Sequence, residues 1–137
     1  MRRQSIRNNR LPSMTRRPLL LLALALPATA LPACAGDEPE GRVRDGRVAV
    51  ALDDFRYRPQ LIRAAPGRVR FDLVNRGRLA HTFRLERGED RIVAKVSSLL
   101  PGDRARKTVR VRKGEYRFFC ALSNHEELGM YGTLVVK

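Results

Sequence analysis

At 137 residues the chain has room for one domain. It carries 28 basic residues against 14 acidic ones, a formal net charge of +14 that suits an anionic partner or surface. Nucleic acid is not the expected partner: the arginines alternate with apolar residues, and no basic helix or basic-aromatic cluster is present to stack bases.

The chain opens with six arginines and no acidic residue, followed by an apolar run from Pro18 to Leu31 and then small residues and a cysteine. That order is a charged region, a hydrophobic region and a cleavage region, so residues 1–33 are expected to be a cleaved export signal. The apolar run is short for a membrane span, and Pro27 and Pro32 interrupt it. Thr15-Arg16-Arg17-Pro18-Leu19-Leu20 resembles a twin-arginine export signal, with an ordinary secretory signal as the open alternative. Leu31-Pro32-Ala33-Cys34 resembles a bacterial lipobox, although Pro32 is an unusual occupant of its position. Lipidation of Cys34 would tether the protein to the outer face of the cytoplasmic membrane; the other outcome is a freely secreted or periplasmic form. Removing the signal's six arginines leaves 22 basic residues against 14 acidic ones, or +8.

Residues 34–45 contain Gly36-Asp37-Glu38-Pro39-Glu40-Gly41, a short acidic stretch with Pro and Gly that is expected to be a flexible tether. From Gly46 to residue 137 the pattern has a period of two. Val48, Val50 and Leu52 share one face; Val69, Phe71 and Leu73 another; then come His81, Phe83 and Leu85; Val109 and Val111; and Tyr116, Phe118 and Cys120. The chain ends on Thr133-Leu134-Val135-Val136. Asp45-Gly46, Pro66-Gly67, Asn75-Arg76-Gly77, Arg87-Gly88, Pro101-Gly102 and Lys113-Gly114 mark turns between these runs. Short alternating strands with regular turns predict an all-β, antiparallel sandwich or barrel.

Cys34 and Cys120 are the two cysteines, so at most one disulfide could form, and it would join a flexible tail to a strand end. Separate tasks explain both more simply: Cys34 for lipid and Cys120 for metal. An unpaired thiol in an oxidising compartment needs protection, which a bound metal supplies. Cys120, His125 and Met130 are spaced five residues apart between the end of one strand and the start of the last, so a single loop can gather all three donors. His81, on the inward face of another strand, can close the set. A lone inward His, Cys or Met is ordinarily a core residue, and the inference rests on the four together. One thiolate and two neutral imidazoles suit copper or zinc, and a thioether on the axis favours copper. Glu126 and Glu127 are expected to be solvated loop charges.

Asn75-Arg76-Gly77-Arg78-Leu79-Ala80-His81-Thr82-Phe83, with Phe118-Phe119-Cys120, His125 and Gly129-Met130-Tyr131-Gly132-Thr133-Leu134-Val135-Val136, resembles the two ligand regions of cupredoxins of the plastocyanin/azurin type. The likeness spans about Val48 to Lys137. It implies an eight-stranded Greek-key sandwich, one type 1 copper ion held by His81, Cys120, His125 and Met130, and one-electron carriage between redox partner proteins. It also implies that His125 presents its ring edge to solvent as the electron port. Leu79, Leu122 and Leu128 could form an apolar rim around that port, or simply pack the loop. Two positions depart from the family. Thr82 stands where many members have an Asn that ties the ligand loops together, and Ser123-Asn124 stands where many have Pro-Gly.

The expected product is therefore an exported, monomeric, non-enzymatic electron carrier. The alternative is a copper chaperone or buffer on the same fold. Such proteins use exposed Met/His sets, whereas the other methionines here, Met1 and Met14, fall in the signal. A catalytic oxidase would need histidines for a second copper centre, and His81 and His125 are the only two in the chain. A metal-free binding module would leave Cys120 and His125 unexplained.

Overall fold

A computed structural model describes residues 39–137, so the signal read at 1–33 and Cys34 lie outside the described residues. Ten strands follow one another: β1 (Gly41–Arg42), β2 (Arg47–Asp53), β3 (Arg56–Arg58), β4 (Leu61–Ala64), β5 (Gly67–Asn75), β6 (His81–Glu86), β7 (Ile92–Leu99), β8 (Arg104–Val111), β9 (Gly114–Phe119) and β10 (Tyr131–Val136). They form a six-stranded sheet in the order β1-β4-β10-β9-β6-β7 and a four-stranded sheet in the order β3-β2-β5-β8. No described residue lies in a helix long and apolar enough to cross a membrane.

The alternation seen in the sequence is the alternation of burial. Val48, Val50, Leu52, Val69, Phe71, Leu73, Phe83, Leu85, Phe118, Leu134 and Val136 all point between the sheets. Their arginine-bearing neighbours face outward on β5 and β8, whose register pairs Arg68 with Arg110 and Arg70 with Thr108.

The all-β sandwich is as expected, but the pairing is not uniformly antiparallel and the strands number ten rather than eight. β2 runs parallel to β5, and β4 runs parallel to both β10 and β1. The cause is crossing between sheets. After β3 the chain leaves the small sheet, runs along the large one as β4 and returns as β5, so β5 reaches β2 in the same direction. A direct hairpin would have reversed it. Three strands carry too little pattern to read beforehand. β3 and β4 each bury one residue at their centres, Tyr57 and Ile62. β7 loses its alternation at the register shifts in its pairing with β6. β1 and Val43 join the large sheet through β4, so ordered pairing begins inside the span expected to be tether.

Tyr57 sits at the centre of the core. Its ring meets Phe118 edge-on at 5.2 Å and Phe83 at 6.0 Å, while Phe83 stacks on Phe118 at 5.7 Å. The hydroxyl of this buried ring donates to the carbonyl of Thr82 at 2.6 Å, which satisfies it and ties the aromatic core to the strand that begins at His81.

Candidate metal centre

His81 opens β6, Cys120 follows the last residue of β9, and Met130 precedes the first residue of β10; all three are fully buried. His125 lies half-buried in the loop between β9 and β10. The base of that loop is closed by Cys120 N–H donating to Met130 O at 3.1 Å. Its interior is closed by Met130 N–H donating to His125 O at 3.0 Å and His125 N–H donating to Leu122 O at 3.1 Å. Gly129 takes φ 109°, a conformation that glycine adopts without strain, and this turns the chain back toward Met130. Gln60 fixes the same point from β4's side: its amide donates to the carbonyls of Gly129 at 3.1 Å and Tyr131 at 2.9 Å, the two residues flanking Met130.

His81 is placed from the other direction. Asn75, a buried polar side chain, donates to Leu79 O and Leu99 O at 2.8 Å each and accepts from Gly77 N–H at 2.9 Å. The 75–80 turn is thereby fixed before β6 starts. Asp54, in the β2–β3 turn, accepts the N–H groups of Arg78 at 2.8 Å and Leu79 at 3.2 Å, and its Oδ1 lies 3.4 Å from His81 Nε2. The next residue, Phe55, meets the His125 ring edge-on at 5.1 Å.

One ligand atom from each of His81, Cys120 and His125 lies within 4.8 Å of the others. Cys120 Sγ is 3.6 Å from His125 Nδ1, and the two imidazole rings are 5.2 Å apart between centroids. His81 Nδ1 is buried with no hydrogen-bond partner. A buried imidazole nitrogen left bare beside a thiol and a second imidazole is the arrangement a metal ion completes, because the ion replaces the missing hydrogen bond. Burial holds the His81 imidazole below its usual pKa, and the nearby His125 adds to this; the Asp54 contact opposes it without prevailing. The neutral ring that results is the ligating form. For Asp54, burial pushes upward, but the N–H groups of Arg78 and Leu79 outweigh it and hold the carboxyl below its usual range. Burial raises Tyr57 far above the phenol range, with the charges of Cys120 and Glu126 adding to it.

The position where many cupredoxins carry Asn is filled here by a residue that makes the tie itself. Thr82 Oγ1 accepts Ala121 N–H at 2.8 Å, and Thr82 N–H points to Cys120 Sγ at 3.4 Å. Glu126 pairs with Arg117, and the donor cluster contains neither Glu126 nor Glu127. Leu79 and Leu128 are 42% and 52% exposed, whereas Leu122 packs against the core. Of the three leucines read as a candidate rim, two are therefore exposed and one is part of the core packing. Sequence reasoning missed Asp54, Phe55, Tyr57 and Gln60. Their roles depend on pairings between strands distant in sequence, and no local signal marks them.

A two-sheet sandwich with one thiol and two imidazoles gathered at the end of its core defines a blue-copper protein with one type 1 copper site. The chain belongs to the cupredoxin-like domain family, whose pattern residues 19–136 match. It is similar in structure to the dithionite-reduced auracyanin of Roseiflexus castenholzii, with a TM-score of 0.64 at 19% identity over 69% of this chain and 99% of that one. It is also similar to auracyanin A of Chloroflexus aurantiacus, described as a blue copper protein, with a TM-score of 0.60 at 17% identity over 71% and 100%. A third likeness is to rusticyanin of Thiobacillus ferrooxidans, with a TM-score of 0.57 at 20% identity over 72% and 82%. No curated protein matches the chain in sequence.

Proposed function

We propose that this chain is an exported one-electron carrier whose copper would be held by His81, Cys120 and His125, with Met130 as a weaker fourth donor. The observation that carries the reading is the bare, buried Nδ1 of His81 beside Cys120 Sγ and the His125 ring. When bound, copper supplies a centre that alternates between the cupric and cuprous states. The protein's part is to keep the donors still. His81, Cys120 and Met130 are fully buried and held by the core and by paired backbone, so one donor arrangement serves both charge states. Cys120 supplies the thiolate, which Thr82 N–H faces. His125, half-buried in the loop between β9 and β10, offers the route for electrons to and from a docked redox partner.

Burial also weighs against copper delivery, the second function considered. Handing a metal to another protein needs donors that a second set can reach, and here only His125 is partly open. Outside the described residues, the reading keeps residues 1–33 as a cleaved export signal and Cys34 as the lipidated N-terminus. A short tether then leads to the first strand of a monomeric domain held at the outer face of the membrane. The function is carriage rather than catalysis.

The test is a visible absorption spectrum of the purified protein with one equivalent of copper(II), before and after ascorbate. An intense blue band that bleaches on reduction and returns on oxidation is expected. Only the weak band of ordinary cupric complexes would remove Cys120 from the coordination sphere and overturn the carrier reading.

A further inference from the structure

The β2–β3 turn brings an acidic side chain against the buried histidine. Asp54 Oδ1 lies 3.4 Å from His81 Nε2, and the same oxygen accepts the N–H groups of Arg78 at 2.8 Å and Leu79 at 3.2 Å. Those two bonds fix the carboxylate on the turn that leads into His81, so its place beside the ring does not depend on the ring. Gly77 is what leaves room. A Cβ there would stand 2.3 Å from Asp54 Oδ1 and 3.1 Å from His81 Nε2. Asp54 Oδ2 is 3.4 Å from Arg78 Nε, but that side chain is 94% exposed, and a solvated cation cancels little of the charge.

We propose that Asp54 is a positioning residue that keeps the proton of His81 on Nε2, turns Nδ1 to the metal, and biases the site toward its oxidised state by its negative charge. The inference rests on the copper reading above. A carboxylate behind a metal-bound imidazole fixes the ring's tautomer and orientation and makes it a stronger donor. The cupric site carries one more positive charge than the cuprous site, so an anion one ring away stabilises the cupric form more and lowers the reduction potential. One electron enters from a reduced partner protein and leaves to an oxidised one, and the Nε2 proton stays where it is throughout.

The test compares Asp54→Asn, Asp54→Ala and Asp53→Asn with the unaltered protein. The readouts are the visible spectrum, the midpoint potential and the imidazole nitrogen signals of His81 by NMR in the metal-free form. Asp54→Asn keeps an acceptor oxygen for the turn and the ring but loses the charge. It is expected to stay blue, keep the Nε2–H tautomer and shift the cuprous-to-cupric affinity ratio about tenfold toward cuprous, which is about 59 mV upward for one electron. Asp54→Ala is expected to raise the potential and also lose the single tautomer. Asp53→Asn removes the same charge one residue away without touching the ring, so its potential should move far less. A blue Asp54→Asn protein with an unmoved potential, or one that shifts no more than Asp53→Asn, overturns the electrostatic role. A His81 tautomer indifferent to Asp54→Ala overturns the orienting role, and if that variant does not fold, a mixed tautomer in the metal-free unaltered protein does the same. A colourless unaltered protein overturns the copper reading and this proposal together, which separates the two failures.

Discussion

Thr82 and the Cys120 segment are bonded from two directions: Thr82 N–H faces Cys120 Sγ at 3.4 Å, and Thr82 Oγ1 accepts the next N–H, that of Ala121, at 2.8 Å. The hydroxyl itself also lies 3.6 Å from Sγ. One residue therefore joins the two ligand-bearing strand ends and sets the polarity around the thiolate. Thr82→Val keeps the shape and removes the hydroxyl. It leaves Ala121 N–H without its acceptor, a loss of about 1–2 kcal/mol that a denaturant titration would read. With one fewer donor near sulfur, the electron-rich reduced site is less favoured, so the potential should fall while the blue band remains.

Cys120→Ser tests the thiolate directly. Serine fits the same space and offers no sulfur, so the intense blue band should vanish in a protein whose circular dichroism is unchanged. A variant that stayed blue would place the sulfur elsewhere.

Met130 is buried beside the loop base and bracketed by the two carbonyls that Gln60 holds. Met130→Leu nearly conserves volume, so its stability cost should stay below about 1.5 kcal/mol. If Met130 is a donor to copper, removing its thioether disfavours the cupric ion more than the cuprous one, and voltammetry should find a raised potential. Met130→Gln offers a harder oxygen donor and should lower it. An identical potential in all three proteins would take Met130 out of the donor set.

Asn75 is satisfied through both ends of its amide, with two donated bonds and one accepted. Asn75→Ala takes its donated bond from two carbonyls and leaves Gly77 N–H with its Leu52 acceptor alone, and should cost about 2 kcal/mol in chemical unfolding. Because the 75–80 turn aims His81, copper affinity should fall with it. A variant as stable as the parent would show that the turn holds itself.

The metal-free protein should lose stability as the pH falls below about 6.5, the ordinary imidazole value. Burial depresses the folded-state value of His81, so below 6.5 the unfolded chain binds a proton that the native state refuses. The contribution is complete above 6.5 and is lost progressively down to the depressed native value. Asp54, also depressed, acts in a separate and more acidic window: its contribution is present above the ordinary carboxyl value of 3.8 and disappears as the pH drops through the lower native value. Urea midpoints measured between pH 8 and pH 5 would show the first loss, and His81→Gln should flatten it.

The period-two runs around Val69-Phe71-Leu73 and His81-Phe83-Leu85 made the sandwich legible because each of those strands buries one face against a single core, which only alternation can do. The spacing of Cys120, His125 and Met130 made most of the candidate site legible for a similar reason: a loop joining adjacent strands keeps its donors close in sequence as well as in space. Ile92–Leu99 was not legible, since its register shifts against β6 break the alternation. Nor was the parallel pairing of β2 with β5, because direction depends on where the chain crosses between sheets.

By itself, then, the sequence determined the fold class, the donor chemistry and the need for a second histidine, all of which are local patterns or a matter of composition. Only the tertiary structure decided what surrounds those donors. It placed Asp54 behind His81, Phe55 against His125, Gln60 around Met130 and Thr82 across Cys120. These contacts join residues as much as 71 positions apart: Gln60, in the first half of the domain, bonds Tyr131 at the start of the last strand. The physical reason is that a hydrogen bond acts over about 3 Å, and only strand register brings such distant residues that close.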